Sequence, residues 1–477
     1  MKANPDFEGL VSKGLNNPTL REALNAMEAA RAHMYKLAFD ELDDPQALKD
    51  AATDVRQRSL DSLGYYLEEF ERNVIARGGH VHWAADEQEA NQIVLGICSA
   101  ADAKLVTKSK SMVTEEIGLA AALEGAGLEV VETDLGEYII QLRNEGPSHI
   151  TAPSLHVSLQ QVIDAFNEHH DIDRDQPLET ADQLLAEARA VLRKKFLGAN
   201  VGITGANFLL AESGGVVVVT NEGNADLTVA LTDTHIVVTG IEKVVPTLED
   251  AEILLRILPR AAVGQRLTNY TSVFHGARRA GELDGPATFH VVLLDNGRSA
   301  MLGTEFSDML QCIRCAACLN HCPVYTAIGG HAYGSVYPGP MGAVLTPQFA
   351  GLKDSRHLPN ASTFCGRCEE VCPVGIPLPK LMRNWRQQEF ARHIRPGGER
   401  AGLRLWSWLS HYTWLYRFAL HVAARGLRWY AGRARDTGWM RHLPWFGRSW
   451  TKQRDFPVPP VRNFQQEWAR RSGSSAE

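Results

Sequence analysis

Apolar residues return every three or four positions across residues 19–39 and again across 45–76, with Asp43 and Asp44 between the two stretches. This spacing predicts two long helices with one apolar stripe each, the second capped by aspartate and opened by Pro45. From Gly78 the period changes. Short apolar runs at 80–83, 104–108 and 128–133 alternate with helical patterns at 87–99 and 114–125. Further strands are predicted at 148–152, 216–220, 235–239 and 288–294, with helices near 158–168, 180–196 and 248–258. Alternation of this kind predicts an α/β domain with a parallel sheet covered by helices. The run Gly215-Val216-Val217-Val218-Val219-Thr220 is continuously apolar, as a strand buried on both faces should be.

Polar loops fall where such strands end: Lys108-Ser109-Lys110-Ser111, Gly202-Ile203-Thr204-Gly205-Ala206-Asn207 and Asn221-Glu222-Gly223-Asn224. Open α/β sheets bind ligands at the carboxyl ends of their strands, although glycine and asparagine also serve simply to make turns. No Gly-x-Gly-x-x-Gly follows a strand, and no phosphate-binding loop or nucleophile elbow is present, so a dinucleotide site is not indicated. His149, His156, His235, His275 and His290 are scattered and read as ordinary core or surface residues. His169-His170 opens an acidic stretch through Asp175 that reads as an exposed loop.

Charge separates the chain into a body and a tail. The 477 residues carry a net charge of −7, yet residues 381–477 hold 18 Lys and Arg against 6 Asp and Glu, which leaves −19 for the body. Nine of the ten tryptophans lie in this basic tail, Trp83 being the exception. Leu405, Trp408, Leu409, Tyr412, Leu415, Tyr416, Leu420, Ala423 and Leu427 recur at helical spacing, which predicts an amphipathic helix. The longest uncharged run, 405–416, is far short of the roughly 20 residues of a membrane span. Such a face suits peripheral contact with an anionic membrane or packing against a partner. Pro457-Val458-Pro459-Pro460 reads as extended chain. The acidic body lacks the basic footprint of a nucleic-acid-binding protein, which leaves a regulatory role resting on the tail alone.

The chemistry is carried by cysteine. Seven of eight form two groups, Cys312-x2-Cys315-x2-Cys318-x3-Cys322-Pro323 and Cys365-x2-Cys368-x3-Cys372-Pro373. In the two-cluster ferredoxin pattern, the cysteine before proline ligates the cluster of the other group. Applied here, cluster one takes Cys312, Cys315, Cys318 and Cys372, and cluster two takes Cys322, Cys365 and Cys368. Cluster two is one thiolate short, and Ser362 stands where the regular motif would supply it. That corner is open to serine, water or a substrate on a four-iron cluster, to a three-iron cluster, or to a ligand from a partner chain. A four-iron cluster with a non-cysteine corner is the expectation. Seven cysteines at these spacings do not divide into closed four-ligand zinc sites, and sparse cysteine elsewhere without a secretory signal predicts a reducing, cytoplasmic setting. Cys98, in an apolar helical run, reads as inert core. The Gly/Pro-rich segment 325–361 must return the second cysteine group to the first, which predicts an ordered wrap in which His331, Tyr333 and Tyr337 pack. Iron–sulfur clusters make electron transfer the first functional expectation.

Five motifs taken together resemble the lactate utilization protein B family: Lys108-Ser109-Lys110-Ser111-Met112-Val113-Thr114-Glu115-Glu116-Ile117-Gly118, Thr204-Gly205-Ala206-Asn207, Thr220-Asn221-Glu222-Gly223-Asn224, Cys312-Ile313-Arg314-Cys315 and Gly329-Gly330-His331-Ala332-Tyr333. The resemblance implies a lactate-utilization domain of the ribose-phosphate isomerase and CoA-transferase-like group, a two-cluster [4Fe-4S] ferredoxin-type domain and a family-specific tail. It also implies three cysteines in the second group as a family trait. With the residue patterns, it divides the chain into a helical segment at 1–77, the α/β domain at 78–298, the cluster domain at 299–384 and the basic tail at 385–477. The implied role is electron transport in oxidation of L-lactate to pyruvate, beside a cysteine-rich subunit and a smaller lactate-utilization-domain subunit, in the cytoplasm or at the inner face of the membrane. The other reading is a self-sufficient hydroxy-acid dehydrogenase that binds substrate in the α/β domain or at the open corner of cluster two.

Overall fold

The computed structural model describes residues 3–173, 177–432, 437–444, 447–448, 450–451 and 454–473. Asp175 of the predicted acidic loop and Trp445 of the tail lie outside them. The chain forms two compact units, Met1–Ala391 and Arg392–Glu477.

In the first unit, a helix Phe7–Leu15 that the pattern did not predict precedes the long helix Pro18–Asp40. The stretch predicted as one helix across 45–76 is two, Pro45–Asp61 and Leu63–Ala76, with the break at Ser62. Asp44 caps the first as expected, accepting from the backbone N–H of Gln46 and Ala47. Likewise, the helix predicted at 114–125 is broken into Met112–Glu116 and Leu119–Gly125, because Gly118 takes the left-handed conformation between them.

Among the described residues of this unit, ten strands build two sheets: β1 (His80–Ala84), β2 (Leu105–Lys108), β3 (Glu129–Glu132), β4 (Val201–Thr204), β5 (Phe208–Leu210), β6 (Gly215–Thr220), β7 (Thr234–Gly240), β8 (Val244–Val245), β9 (Tyr270–Phe274) and β10 (Thr288–Leu294). The larger sheet is parallel throughout, in the order β1-β10-β7-β4-β2-β3. The fold class is therefore α/β, as the alternation predicted. The core lies on both faces of this sheet. Ala90, Val94 and Cys98 pack with Val106, Ile203 and Val292 on one face. On the other, Leu67, Phe70 and Val74 pack with Phe289, Val291 and Val237.

Three strand expectations are corrected. First, β6 belongs to a separate four-stranded sheet, β8-β5-β6-β9, where it pairs antiparallel with β5 and β9. Its apolar run reports burial of Val216 to Val218, not the direction of its neighbours. Second, no strand forms at 148–152. There His149 Nδ1 accepts from the backbone N–H of Thr151 and Ala152, and the Ser148 N–H bonds to the Pro153 carbonyl, so the chain closes a turn instead. Third, β4 was not predicted, although it lies in the middle of the sheet. Gly202 interrupts its apolar signal, and a Cβ there would lie 2.2 Å from the Thr228 carbonyl oxygen, so only glycine lets the covering helix Asn224–Ala230 approach.

The predicted wrap at 325–361 is ordered. It contains the helices Pro323–Ile328, Gly339–Phe349, Leu352–Ser355 and His357–Asn360. It is locked to the helix Leu378–Ala391, whose Trp385 donates to the Val344 carbonyl at 2.9 Å and stacks on Phe306.

In the second unit the predicted tail helix is also two, Gly397–His411 and Thr413–Ala431, divided at Tyr412. Trp406, Trp408, Trp414 and Phe418 are exposed. A short antiparallel pair, β11 (Trp439–Met440) with β12 (Phe456–Pro457), follows. Among the described residues, no helix is long and apolar enough to cross a membrane.

Candidate functional site

The two cysteine groups interlock. One cavity is lined by Cys312, Cys315, Cys318 and, from the second group, Cys372. Another is lined by Cys322 of the first group with Cys365, Cys368 and Ser362. Backbone conformation presents the sulfurs. Arg314 and Ala316 sit at φ 61 and 62, and Phe364 and Gly366 at φ 55 and 84, left-handed positions that fold each Cys-x2-Cys segment around its cavity. Backbone N–H groups then face the thiols: Ile376 donates to Cys372 Sγ at 3.4 Å. Burial pushes the Cys368 and Cys372 thiols up to about 12 and about 11, so charge on these sulfurs needs a metal to offset it. Among the described residues no three His, Cys, Asp or Glu side chains converge to hold a single metal ion. The cysteines instead stand around the walls of their cavities.

The two cavities differ. Cys315, Cys318 and Cys372 are buried, whereas Cys365 is exposed. Ser362 Oγ already accepts the Phe364 N–H at 3.1 Å, a turn-forming role that leaves the second cavity without a fourth thiol. Tyr333 is buried beside Cys322, and Tyr337 donates to Glu116 at 2.7 Å. His331 bonds to the Gly146 carbonyl.

A third cavity, of about 310 Å³, lies at the carboxyl ends of β2, β3, β4 and β7, with the end of β6 opposite. Its size is at the lower end of small-molecule sites, about 300–1,000 Å³. All three predicted loops contribute to it: Ser109, Lys110 and Ser111; Gly205 to Asn207; Asn221, Glu222 and Asn224. Lys108, placed with the first loop by its sequence, is instead sunk beneath it, paired with Glu115 at 2.9 Å and Glu132 at 2.5 Å. Arg314 and Cys315 line both this cavity and the first cysteine cavity, so the two share a wall.

Sequence reasoning missed Lys243, which also lines the third cavity and is 5% exposed. Its one signal was position, directly after the carboxyl end of β7. Burial, followed by the nearby Arg314, brings its ammonium down to about 7. Beneath it runs a buried charge network. Arg298 bonds Glu116 through Nη2 at 2.8 Å and Glu242 through Nε at 2.7 Å, and Glu242 reaches Arg314 at 3.4 Å. Arg56 donates to the carbonyls of Glu242 and Val244. Burial alone would raise the Glu242 carboxyl, but Arg298, Arg314 and Lys243 hold it at about 2.

The histidines singled out in the sequence line none of the three cavities, whereas His321 lines the second. His235 is buried on Thr204, and His156 bridges Ser148 and Glu145. His275 contacts Ser213, and His290 contacts His82. His169 ends a helix and is exposed, as are Asp171 and Asp173 in the loop beyond, but the His170 side chain is buried against Tyr138 and Glu187, which corrects the expectation for that residue.

His149 joins the α/β unit to the cysteine segment through Asn320, 3.0 Å from Nε2. With Nδ1 accepting two backbone N–H groups, a second proton has no place, and burial carries its pKa down to about 3. The folded state therefore binds fewer protons than the unfolded one. Stability is complete above pH 6.5 and is lost as pH falls toward 3, by about 2 kcal/mol at pH 5. Between pH 7.5 and 5, denaturation of the wild-type protein should show about that much more loss than His149→Gln; equal losses would exclude this role.

Comparison with known proteins agrees with this layout. The LUD domain family matches residues 67–294, and the 4Fe-4S dicluster domain family matches residues 308–376. Lactate utilization protein B of Anoxybacillus flavithermus is 44% identical, with 99% of each chain covered. That of Bacillus subtilis is 43% identical, over 99% of this chain and 98% of its own. The chain belongs to the lactate utilization protein B family. As a member, it pairs a LUD domain with a dicluster domain that carries iron–sulfur clusters. A crystal structure of a DUF162 family protein from Deinococcus radiodurans, 14% identical, covers 49% of this chain and 98% of its own, with a TM-score of 0.26, too low to bear on the fold.

Proposed function

We propose that this lactate utilization protein B family member relays electrons during oxidation of L-lactate to pyruvate, holding two [4Fe-4S] clusters. Cys312, Cys315, Cys318 and Cys372 would hold the first. Cys322, Cys365 and Cys368 would hold the second, with a non-cysteine ligand at its fourth corner. Clusters of this kind accept and release single electrons, with potentials anywhere from roughly −700 to +450 mV set by hydrogen bonds and exposure. The observation that carries the reading is the interlocking of the two cysteine groups around adjacent cavities.

The residues themselves supply the rest. N–H groups such as that of Ile376 stabilise charge on sulfur. Apolar lining by Met309, Ile313 and Met341 keeps water from the first cavity. Exposed Cys365 brings the second cavity to the surface, where a partner can approach. A cysteine-rich subunit and a smaller LUD-domain subunit are the partners in this reading, with lactate turned over by the assembly. Co-purification followed by anaerobic addition of L-lactate tests it. The clusters should bleach in the recovered complex and stay oxidised in the isolated chain; bleaching of the isolated chain by L-lactate alone would exclude a pure relay.

A further inference from the structure

The third cavity is not needed to hold a cluster, yet it shares Arg314 and Cys315 with the first cysteine cavity. Its cations are arranged for an anion. Lys243 is 5% exposed, and its ammonium makes no hydrogen bond or ion pair among the described residues. The Arg314 guanidinium, beside it, uses Nη2 on Glu242 and leaves Nη1 buried without a partner. Lys243, Arg314 and Arg298 share the Glu242 carboxylate, with Glu116 the other acid of the network, and a buried surplus of positive groups is costly unless a ligand supplies opposite charge. Planar guanidinium with an adjacent ammonium matches a carboxylate. Ser109, Ser111, Asn207 and Thr220 line the same cavity and bring hydroxyl and amide groups suited to a second oxygen on the neighbouring carbon. Asp134 and Glu222 also line the cavity, and their negative charge disfavours a multiply charged anion such as phosphate.

We propose that this cavity binds a small monocarboxylate of the 2-hydroxy or 2-oxo acid class, its carboxylate on Lys243 and Arg314, against the wall formed by Cys315. The proposal rests on the relay reading in one respect: the cluster next to the bound acid is the one assigned to Cys312, Cys315, Cys318 and Cys372. Binding puts a negative charge beside that cluster and lowers its reduction potential, while the second cluster keeps its own.

The test uses the full chain, purified anaerobically with its clusters, and titrated calorimetrically with L-lactate, pyruvate and inorganic phosphate. L-lactate or pyruvate should bind, and Lys243→Gln should weaken binding at least tenfold. Lys243→Arg, which keeps the charge, should restore most of it. Thr220→Val, with the cations intact, should weaken binding less than Lys243→Gln and so separates loss of the charge from general damage to the cavity. Redox titration should show a downward shift of one cluster with pyruvate present. Unchanged affinity in Lys243→Gln overturns the proposal, as does binding of phosphate in preference to both acids or no binding to a chain with its full iron content. Binding with no shift in either cluster potential leaves this site standing and counts against the cluster assigned to Cys312, Cys315, Cys318 and Cys372. Bleaching by lactate alone likewise supports the site while excluding the pure relay.

Discussion

Replacing Cys372 by serine is expected to abolish the cluster whose other three ligands belong to the other cysteine group, and to spare the cluster nearest Cys372 in sequence. The Cys372 thiol lines the same cavity as Cys312, Cys315 and Cys318. It is buried, and a serine alkoxide is hard to form in such a setting, so loss of the thiolate is loss of one corner. Iron content should fall from about eight to about four per chain, in keeping with two four-iron clusters. The reduced protein should keep the paramagnetic signal of the cluster at Cys322, Cys365 and Cys368. Cys322→Ser should do the reverse, stripping the second cavity although Cys322 lies in the first group. Iron and sulfide quantitation with electron paramagnetic resonance under anaerobic conditions decides the matter. Retention of the first cluster in Cys372→Ser, with selective loss of the second, would overturn the crossed assignment.

The gathering of the cysteines around two cavities is legible in sequence because the two Cys-x2-Cys segments are local, and a local turn with fixed spacing has few ways to fold. The three polar loops were legible for a related reason: each follows a strand, and strand ends share one edge of a parallel sheet. Convergence of those loops on Cys315 was not legible. It depends on β4, hidden by Gly202, lying between β2 and β7, and on the turn at His149 where a strand was expected. Lys243 and Arg298 were missed because a cation in a long sequence reads as surface until its burial is known. The breaks at Ser62 and Tyr412 were missed because apolar spacing continues across a kink.

The layout orders the three cavities. The loop cavity meets the first cysteine cavity at Arg314 and Cys315, while the second ends at exposed Cys365. In the relay reading, electrons then pass from the buried side of the unit toward its surface, and the cluster with the unfilled corner is the one that faces a partner. The sequence offered two places where substrate chemistry would enter, the α/β domain and the open corner at Ser362. The cavity at the other cluster is the larger and better furnished of the two.

Arg298→Ala is expected to cost about 3–5 kcal/mol, the usual consequence of leaving buried carboxylates without their counter-charge. Arg298 is fully buried and bonds Glu116 and Glu242, which lie on different elements and whose side chains are 0% and 2% exposed. Removing the guanidinium strands Glu116, whose remaining partners Asn296 and Tyr337 are neutral, while Glu242 keeps Arg314. The Glu116 pKa then rises above the unfolded value, so the variant should gain stability as pH falls from 7 toward 5, while the wild-type network gains none. With an unfolding entropy of about 2.1 cal/mol/K per residue, the loss lowers the Tm of the Met1–Ala391 unit by roughly 4–6 °C. Arg298→Ala combined with Glu116→Gln should recover part of the loss, because one stranded charge is gone. A single variant within about 1 kcal/mol of wild type would exclude the network as a structural element. The effect should also reach the clusters. Glu242 holds Arg314, and Arg314 adjoins Cys315, so a network that has lost Arg298 no longer fixes the wall between the loop cavity and the first cysteine cavity.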